Sequence, residues 1–216
     1  MTFFNELAAP IVMGILLGGL YAVVALGLSL VFGVVKEIKP DSVVLAAGSS
    51  LRIPDIPGTG KPFVATSIEL LSGSFKAGAR VVVVGGAAMG CEVAAQLASS
   101  EKKVTLVEML GDLATDLEMR SRLALLQLLK ERGVKILTNW KVEKIENGYV
   151  LLVSRDWEKL EVATNSVILA LGLTSNQELL KPLRESFREV YAVGDCVEPR
   201  KIYQAIHEGS FAGRMI

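Results

Sequence analysis

The chain has 216 residues, with 23 Lys and Arg against 23 Asp and Glu and a formal net charge of zero. That length allows one large or two small domains with cores of their own, and the balanced charge argues against nucleic acid as a default partner. Two cysteines, Cys91 and Cys196, lie outside any CxxC or Cys/His spacing, which excludes a disulfide framework, a zinc site and an iron–sulfur ligand set, so no metal is expected.

The charge is unevenly spread. Residues 1 to 35 hold one ionisable side chain, Glu6, and every Lys and Arg lies at or beyond Lys36. Leu7 to Val35 is an uncharged apolar run longer than the roughly 20 residues needed to cross a bilayer core, and it predicts a single transmembrane helix with membrane contact over residues 9–35. A signal peptide fits poorly, because MTFFNE lacks a positive charge and the apolar run is too long. Lys36 and Lys39 after the run place the remainder in the cytoplasm, on a single-pass anchor in the inner (plasma) membrane. Gly14 and Gly18 form a GxxxG, read as ordinary helix packing. The run GGLYAVVALGLSLVFGV resembles the first membrane helix of the permease subunits of branched-chain amino acid ABC transporters. Transport would need further apolar spans, and none follows Val35.

Beyond the apolar run, Ser42 to Ala46 reads as a short buried strand, and Pro54 to Pro62 as a Pro/Gly-rich linker marking a domain crossing. Arg80 to Val84 is a strand that meets Gly85-Gly86-Ala87-Ala88-Met89-Gly90 and then a helix, Cys91 to Ala98. The next strand, Lys103 to Val107, ends at Glu108 and completes a βαβ unit of about 30 residues. Leu117 to Arg132 keeps helical spacing through Leu123, Leu126 and Leu129 and stops at Gly133, before a third parallel strand, Val134 to Leu137. From Lys141 to Val162 the period becomes two, with Asn147-Gly148 as a hairpin turn, and predicts a small antiparallel meander. Val167 to Ala170 is a buried strand ending at Leu171-Gly172. Val190 to Val193 runs into Gly194-Asp195, and a helix follows through the AIHEGSFAGRMI tail.

The strand, glycine turn and helix at residues 80 to 98 predict a dinucleotide site. A pyrophosphate needs its charge met without crowding, and free amides at a helix N-terminus do this where side chains are absent. Gly85 makes the tight turn and Gly90 lets the helix approach the strand. Glu108, on the order of 20 residues further on, is placed to accept hydrogen bonds from ribose hydroxyls and to repel a 2′-phosphate, favouring NADH over NADPH. Ala87 stands where the fingerprint has its middle glycine, so binding is expected to be weakened rather than lost.

The segments VVVVGGAAMGCEVAAQLA, KKVTLVEM, LKERGVKILTN, ILALG and VYAVGDCVEPR…AIHEG resemble the C-terminal half of the 2,4-dienoyl-CoA reductase, 2-enoate reductase and NADH:flavin oxidoreductase family, over about Lys36 to Ile216. The resemblance implies an α/β fold: a Rossmann-like parallel sheet with a small antiparallel β-meander (61–174), inserted in a truncated FAD-type domain (36–60 and 175–216), behind the N-terminal transmembrane helix (1–35). It implies hydride delivery from NADH to a flavin. Gly85, Gly86, Ala87, Ala88, Met89, Gly90, Glu92, Glu108 and Gly172 are then the nicotinamide-dinucleotide residues. Glu92 approaches the nicotinamide–flavin contact, Gly194 and Asp195 take the ribityl and phosphate part of FAD, and Ala47 and Gly48 line the domain crossing. The FMN and iron–sulfur barrel of the family and its first glycine fingerprint have no counterpart upstream of Ser42, so FAD binding is expected to be incomplete and the catalytic residues are unassigned. The alternative is a catalytically silent, membrane-anchored dinucleotide-binding module, or the product of a gene fusion between Gly33 and Lys36. Cys91, Cys196 and His207 are read as packing or surface residues.

Overall fold

The computed structural model describes residues 40–216. The expected membrane helix, its GxxxG and Lys36 and Lys39 lie outside the described residues. Among the described residues, no helix is long and apolar enough to cross a membrane.

In chain order the elements are β1 (Ser42–Leu45), β2 (Ser49–Leu51), β3 (Val64–Thr66), α1 (Ser67–Leu71), β4 (Arg80–Val84), α2 (Ala88–Ser99), β5 (Lys103–Glu108), α3 (Met119–Glu131), β6 (Lys135–Thr138), β7 (Trp140–Glu146), β8 (Tyr149–Ser154), β9 (Lys159–Ala163), β10 (Ser166–Leu169), β11 (Leu173–Ser175), α4 (Leu180–Ser186), β12 (Glu189–Ala192) and α5 (Ile202–Met215). They fall into two compact units: residues 48–176, and residues 40–47 with 177–216.

The larger unit is built on a five-stranded parallel sheet of order β3-β10-β4-β5-β6. Its central strand β4 is Arg followed by four valines, as a strand covered on both faces requires. Val81 and Val83 join a core with Val93, Ala94 and Leu97 of α2 and Leu129 of α3. Val82 and Val84 face the other way, into a core with Val142, Ile145, Val150, Leu152 and Val162 of the meander. Burying each such aliphatic side chain contributes about 1.5–3 kcal/mol, so the run of valines glues helices to one face and the meander to the other.

The meander β7-β8-β9 turns at Asn147-Gly148, where Gly148 has φ +91. Helix α3 ends as the sequence signals: the amide of Gly133 (φ +67) donates to Lys130 O and that of Val134 to Leu129 O, the paired bonds of a Schellman cap. The helix buries Leu129 and packs Leu125, Leu126 and Leu128, whereas Leu123, expected on its apolar face, points to solvent.

Three expectations need correction. Helix α2 starts at Ala88, not Cys91, because the glycine turn leads straight into it; Ala, Met and Gly give its first turn no apolar period. The Pro54–Pro62 segment is not where the units divide. It packs on the meander, with Pro57 O accepting from the Ile145 amide at 2.8 Å and Lys61 paired with Glu146 at 2.8 Å, while the division falls at 47/48 and 176/177. Lys144 and Lys61 together hold the Glu146 carboxyl down at about 2. Third, β2, β3, α1, β11 and α4 have no counterpart in the sequence reading.

The smaller unit contains a two-stranded parallel pair, β1-β12, with Val43 opposite Val190 and Leu45 opposite Ala192. Helices α4 and α5 complete its described part.

Candidate dinucleotide site

Strand β4 ends at Val84, and Gly85 takes φ +107 while its amide still donates to Val107 O at 2.9 Å. The turn is packed so tightly that side chains are excluded. A Cβ on Gly85 would meet the carbonyl oxygen of Ala170, one on Gly90 would meet that of Gly85, and one on Gly86 would lie 2.8 Å from Glu108 Cβ. Two carbonyl clashes and one side-chain clash explain three glycines in six residues.

Glu108 ends β5, directly beside this turn. Its Oε2 accepts the Gly86 amide at 2.6 Å and its Oε1 accepts the Leu110 amide at 2.8 Å. Each oxygen keeps a lone pair for a further donor. The carboxylate is therefore fixed in direction before any ligand arrives. It lines a groove of about 530 Å³ together with Gly85, Val84, Leu171, Trp140 and Arg52. The groove lies at the carboxyl ends of β4 and β5, where open α/β sheets bind ligands.

The loop after β5 folds back over the turn. The Ala114 amide donates to Gly86 O at 2.7 Å, and the Ala88 amide, first of α2, donates to Asp116 Oδ1 at 2.9 Å. Nothing in LATDLEM marks Asp116 as an acid that returns to a helix twenty-odd positions earlier. A carboxylate at a helix N-terminus shows the place suits an anion. A dinucleotide phosphate that used this amide would have to displace Asp116.

The expected residues are thus only partly brought together. Gly85 and Glu108 line the groove; Gly86 and Gly90 are buried behind them. Ala87 is exposed, with φ −67 and ψ 175, an ordinary conformation for alanine. Ala88 and Met89 are half-buried in the first turn of α2, and Ser67 donates to the Met89 sulfur at 3.0 Å. Glu92 is exposed and, because α2 begins at Ala88, sits beyond the first turn, so dipole matching does not explain it and it does not line the groove. Gly172 (φ +82) follows Leu171 and accepts the Arg52 amide at 3.0 Å. Cys91 is fully buried, with its sulfur 3.3 Å from Gly86 O; burial first, then the neighbouring Asp116, pushes its thiol up to about 11. It is a packing residue and not a nucleophile.

In the smaller unit, Gly194 (φ +72) and Asp195 follow β12 as anticipated. The Gly194 amide, expected to face a flavin phosphate, instead donates to Glu208 Oε2 at 2.7 Å, and Arg200 pairs with the same carboxylate. Gly194 first and Arg200 second hold the Glu208 carboxyl below the usual carboxylate range. Asp195 Oδ1 accepts the Arg200 amide at 3.3 Å and is suited to sugar hydroxyls. Ala47 is exposed at the end of the smaller unit's first segment, and Gly48 (φ +67) accepts the Asn176 amide within the larger one. His207 is exposed, with its ring 4.2 Å from that of Tyr203. Among the described residues, no cluster of His, Cys, Asp or Glu could hold a metal ion.

The residues of the larger unit fit a nicotinamide dinucleotide: glycines crowd out side chains at the strand tip, and a preoriented acid opens on a groove. Those of the smaller unit fit a flavin only through Asp195.

The chain is 35% identical over 180 residues to the NADH oxidase of Thermoanaerobacter brockii, covering 81% of this chain and 28% of that protein. It is 32% identical over 178 residues to the bilirubin reductase of Mediterraneibacter gnavus, covering 82% and 28%. Among solved structures, 2-naphthoyl-CoA reductase with 2-naphthoyl-CoA matches with a TM-score of 0.76 at 28% identity, over 84% of this chain and 28% of that one. The chain spans under a third of the length of these relatives. With residues 23–209 matching the family model, the chain belongs to the pyridine nucleotide-disulphide oxidoreductases, NAD(P)H-dependent flavoproteins whose members bind NAD(P)H and FAD.

Proposed function

We propose that this chain is the NADH-binding portion of a flavin-dependent oxidoreductase of the 2,4-dienoyl-CoA reductase, 2-enoate reductase and NADH:flavin oxidoreductase group. The observation that carries this reading is the Glu108 carboxylate, held by the Gly86 and Leu110 amides at the mouth of the groove. In that orientation Glu108 accepts the ribose hydroxyls of NADH and opposes the 2′-phosphate of NADPH. Gly85 makes the tight turn and Gly90 lets α2 pack directly against it, the close approach that brings the helix N-terminus to the strand tip in this reading. Bound NADH supplies a hydride, and a flavin is its acceptor in this reading. Asp195 is the residue best placed by type to accept flavin sugar hydroxyls, but the Gly194 amide is committed to Glu208, so no step is assigned to the flavin side. The similar relatives named for NADH oxidase, bilirubin reductase and cinnamate reductase support the class.

Titration of the purified chain with NADH and NADPH tests this. Saturable NADH binding, tighter than that of NADPH, is expected; absence of NADH binding overturns the assignment. An absorbance spectrum of the same sample reports flavin, and bleaching of a yellow protein by NADH extends the reading to hydride transfer.

A further inference from the structure

We infer that the hairpin between β8 and β9 carries an adenine-stacking platform, Trp157, that belongs to the dinucleotide site. This rests on the reading of Glu108 as the ribose acceptor. Trp157 is 83% exposed and takes φ +64, a left-handed conformation that a bulky residue adopts at a cost. The turn around it is locked: the Trp157 amide donates to Ser154 O at 3.2 Å, the Ser154 amide to Glu158 O at 2.9 Å, and the Asp156 and Glu158 amides to Ser154 Oγ at 3.2 and 3.1 Å. A large apolar ring held out in water by a hydrogen-bonded turn in a left-handed conformation buries little of itself against the fold. It is presented to something.

What it faces identifies the ligand. Trp157 walls a second cavity of about 310 Å³ with Met109, Leu110, Asn139, Lys141 and Arg155. Met109 and Lys141 also line the groove that contains Glu108, so the two spaces adjoin. Leu110 is bonded through its amide to the Glu108 carboxylate, and its carbonyl accepts the Asn139 amide at 3.0 Å, which fixes this wall against the ribose acceptor. A nucleoside whose sugar hydroxyls meet Glu108 therefore has its base beside this adjoining cavity. The thioether, the leucine and the indole offer apolar faces to a planar base, the side-chain amide of Asn139 can pair with its edge, and Lys141 and Arg155 are positive toward a phosphorylated nucleoside. The ligand class is an adenosine 5′-diphosphate group, here the adenine half of NADH.

The test uses the full 216-residue chain with ADP, nicotinamide mononucleotide and NADH as probes, followed by calorimetry. Trp157→Gly weakens ADP and NADH about 5- to 10-fold, the lower part of what losing one aromatic stack on a base does, and leaves nicotinamide mononucleotide unchanged. Trp157→Phe keeps most of the affinity. Because glycine relieves the left-handed strain, Trp157→Gly also raises the thermal midpoint, a pairing of better stability with poorer binding that a structural role would not produce. In a Trp140→Phe background, where Trp157 is the remaining tryptophan, ADP shifts its emission. Unaltered ADP and NADH affinity in Trp157→Gly, with NADH binding lost in Glu108→Ala, overturns this inference alone. Failure of wild-type protein to bind either ADP or NADH overturns the functional reading and this inference with it.

Discussion

Two turns in this protein are built alike and end up differently. After β4, and again after β12, a strand runs into a glycine with positive φ, and a turn amide is captured by a glutamate: Gly86 by Glu108 at 2.6 Å, Gly194 by Glu208 at 2.7 Å. At the first turn the acid comes from the neighbouring strand, its second oxygen is held by another amide, and it opens on a groove. At the second the acid comes from the helix that follows, and Arg200 neutralises it. A strand–glycine motif thus specifies a bend and a free amide, but the surrounding elements decide whether the acid there opens on a groove or is spent in an internal ion pair.

The largest effect that would break this comparison is expected at Gly85. Gly85→Ala drives a methyl onto the Ala170 carbonyl at φ +107. It should destabilise the protein by about 3 kcal/mol or more and abolish NADH binding, measured by urea unfolding and by NADH titration; wild-type stability would show that the turn is not so confined. Next, Glu108→Ala removes the proposed ribose acceptor and leaves two amides without theirs. NADH affinity should fall about 10- to 100-fold, as loss of hydrogen bonds to a charged group does, whereas Glu208→Gln should leave it unchanged. Equal losses in the two variants would erase the distinction between the turns.

The two turns should also differ in their response to pH. Cys91 packs behind the first, and its thiol moves from 9.0 up to about 11. A raised folded value means that the contribution is complete below pH 9 and lost as pH rises through 11. Stability should therefore drop by about 2 kcal/mol across that window, and Cys91→Ala should flatten the drop in denaturant midpoints. At the second turn the sign reverses. Glu208 is held below the ordinary glutamate value of 4.5, so its contribution is present above that pH and is lost on acidification; Glu208→Gln should soften the acid limb. The smallest effect is expected at Ala87, exposed and in an ordinary conformation. Ala87→Gly opens space where the proposed site takes the phosphates and is also a better helix N-cap, so NADH should bind a few-fold tighter in the same titration. Unchanged affinity would mean that the phosphates do not pass there.

Strands β2 and β11 are three residues each and pair only with one another across the sequence, Leu51 opposite Leu173, so no local period announces them. Helix α4 contains Pro182 in its first turn, a residue that reads as loop until the turn around it is seen. Helix α1 is different, because its signal is local. Thr66 accepts the Glu69 amide and Glu69 accepts the Thr66 amide, a capping box spelled T-x-x-E.

By itself the sequence determined the βαβ frame, the glycine turn and the acid at the next strand's end, because each rests on short-range requirements: valines for a strand covered on both faces, no Cβ where carbonyls crowd, a carboxylate one strand away. The tertiary structure alone decided that Asp116 caps α2, that Glu208 takes the Gly194 amide, that Pro54–Pro62 packs on the meander and that Trp157 stands beside the groove. Those depend on where distant chain segments return, and a periodic pattern records which side of a residue is buried but not which residue comes back to meet it.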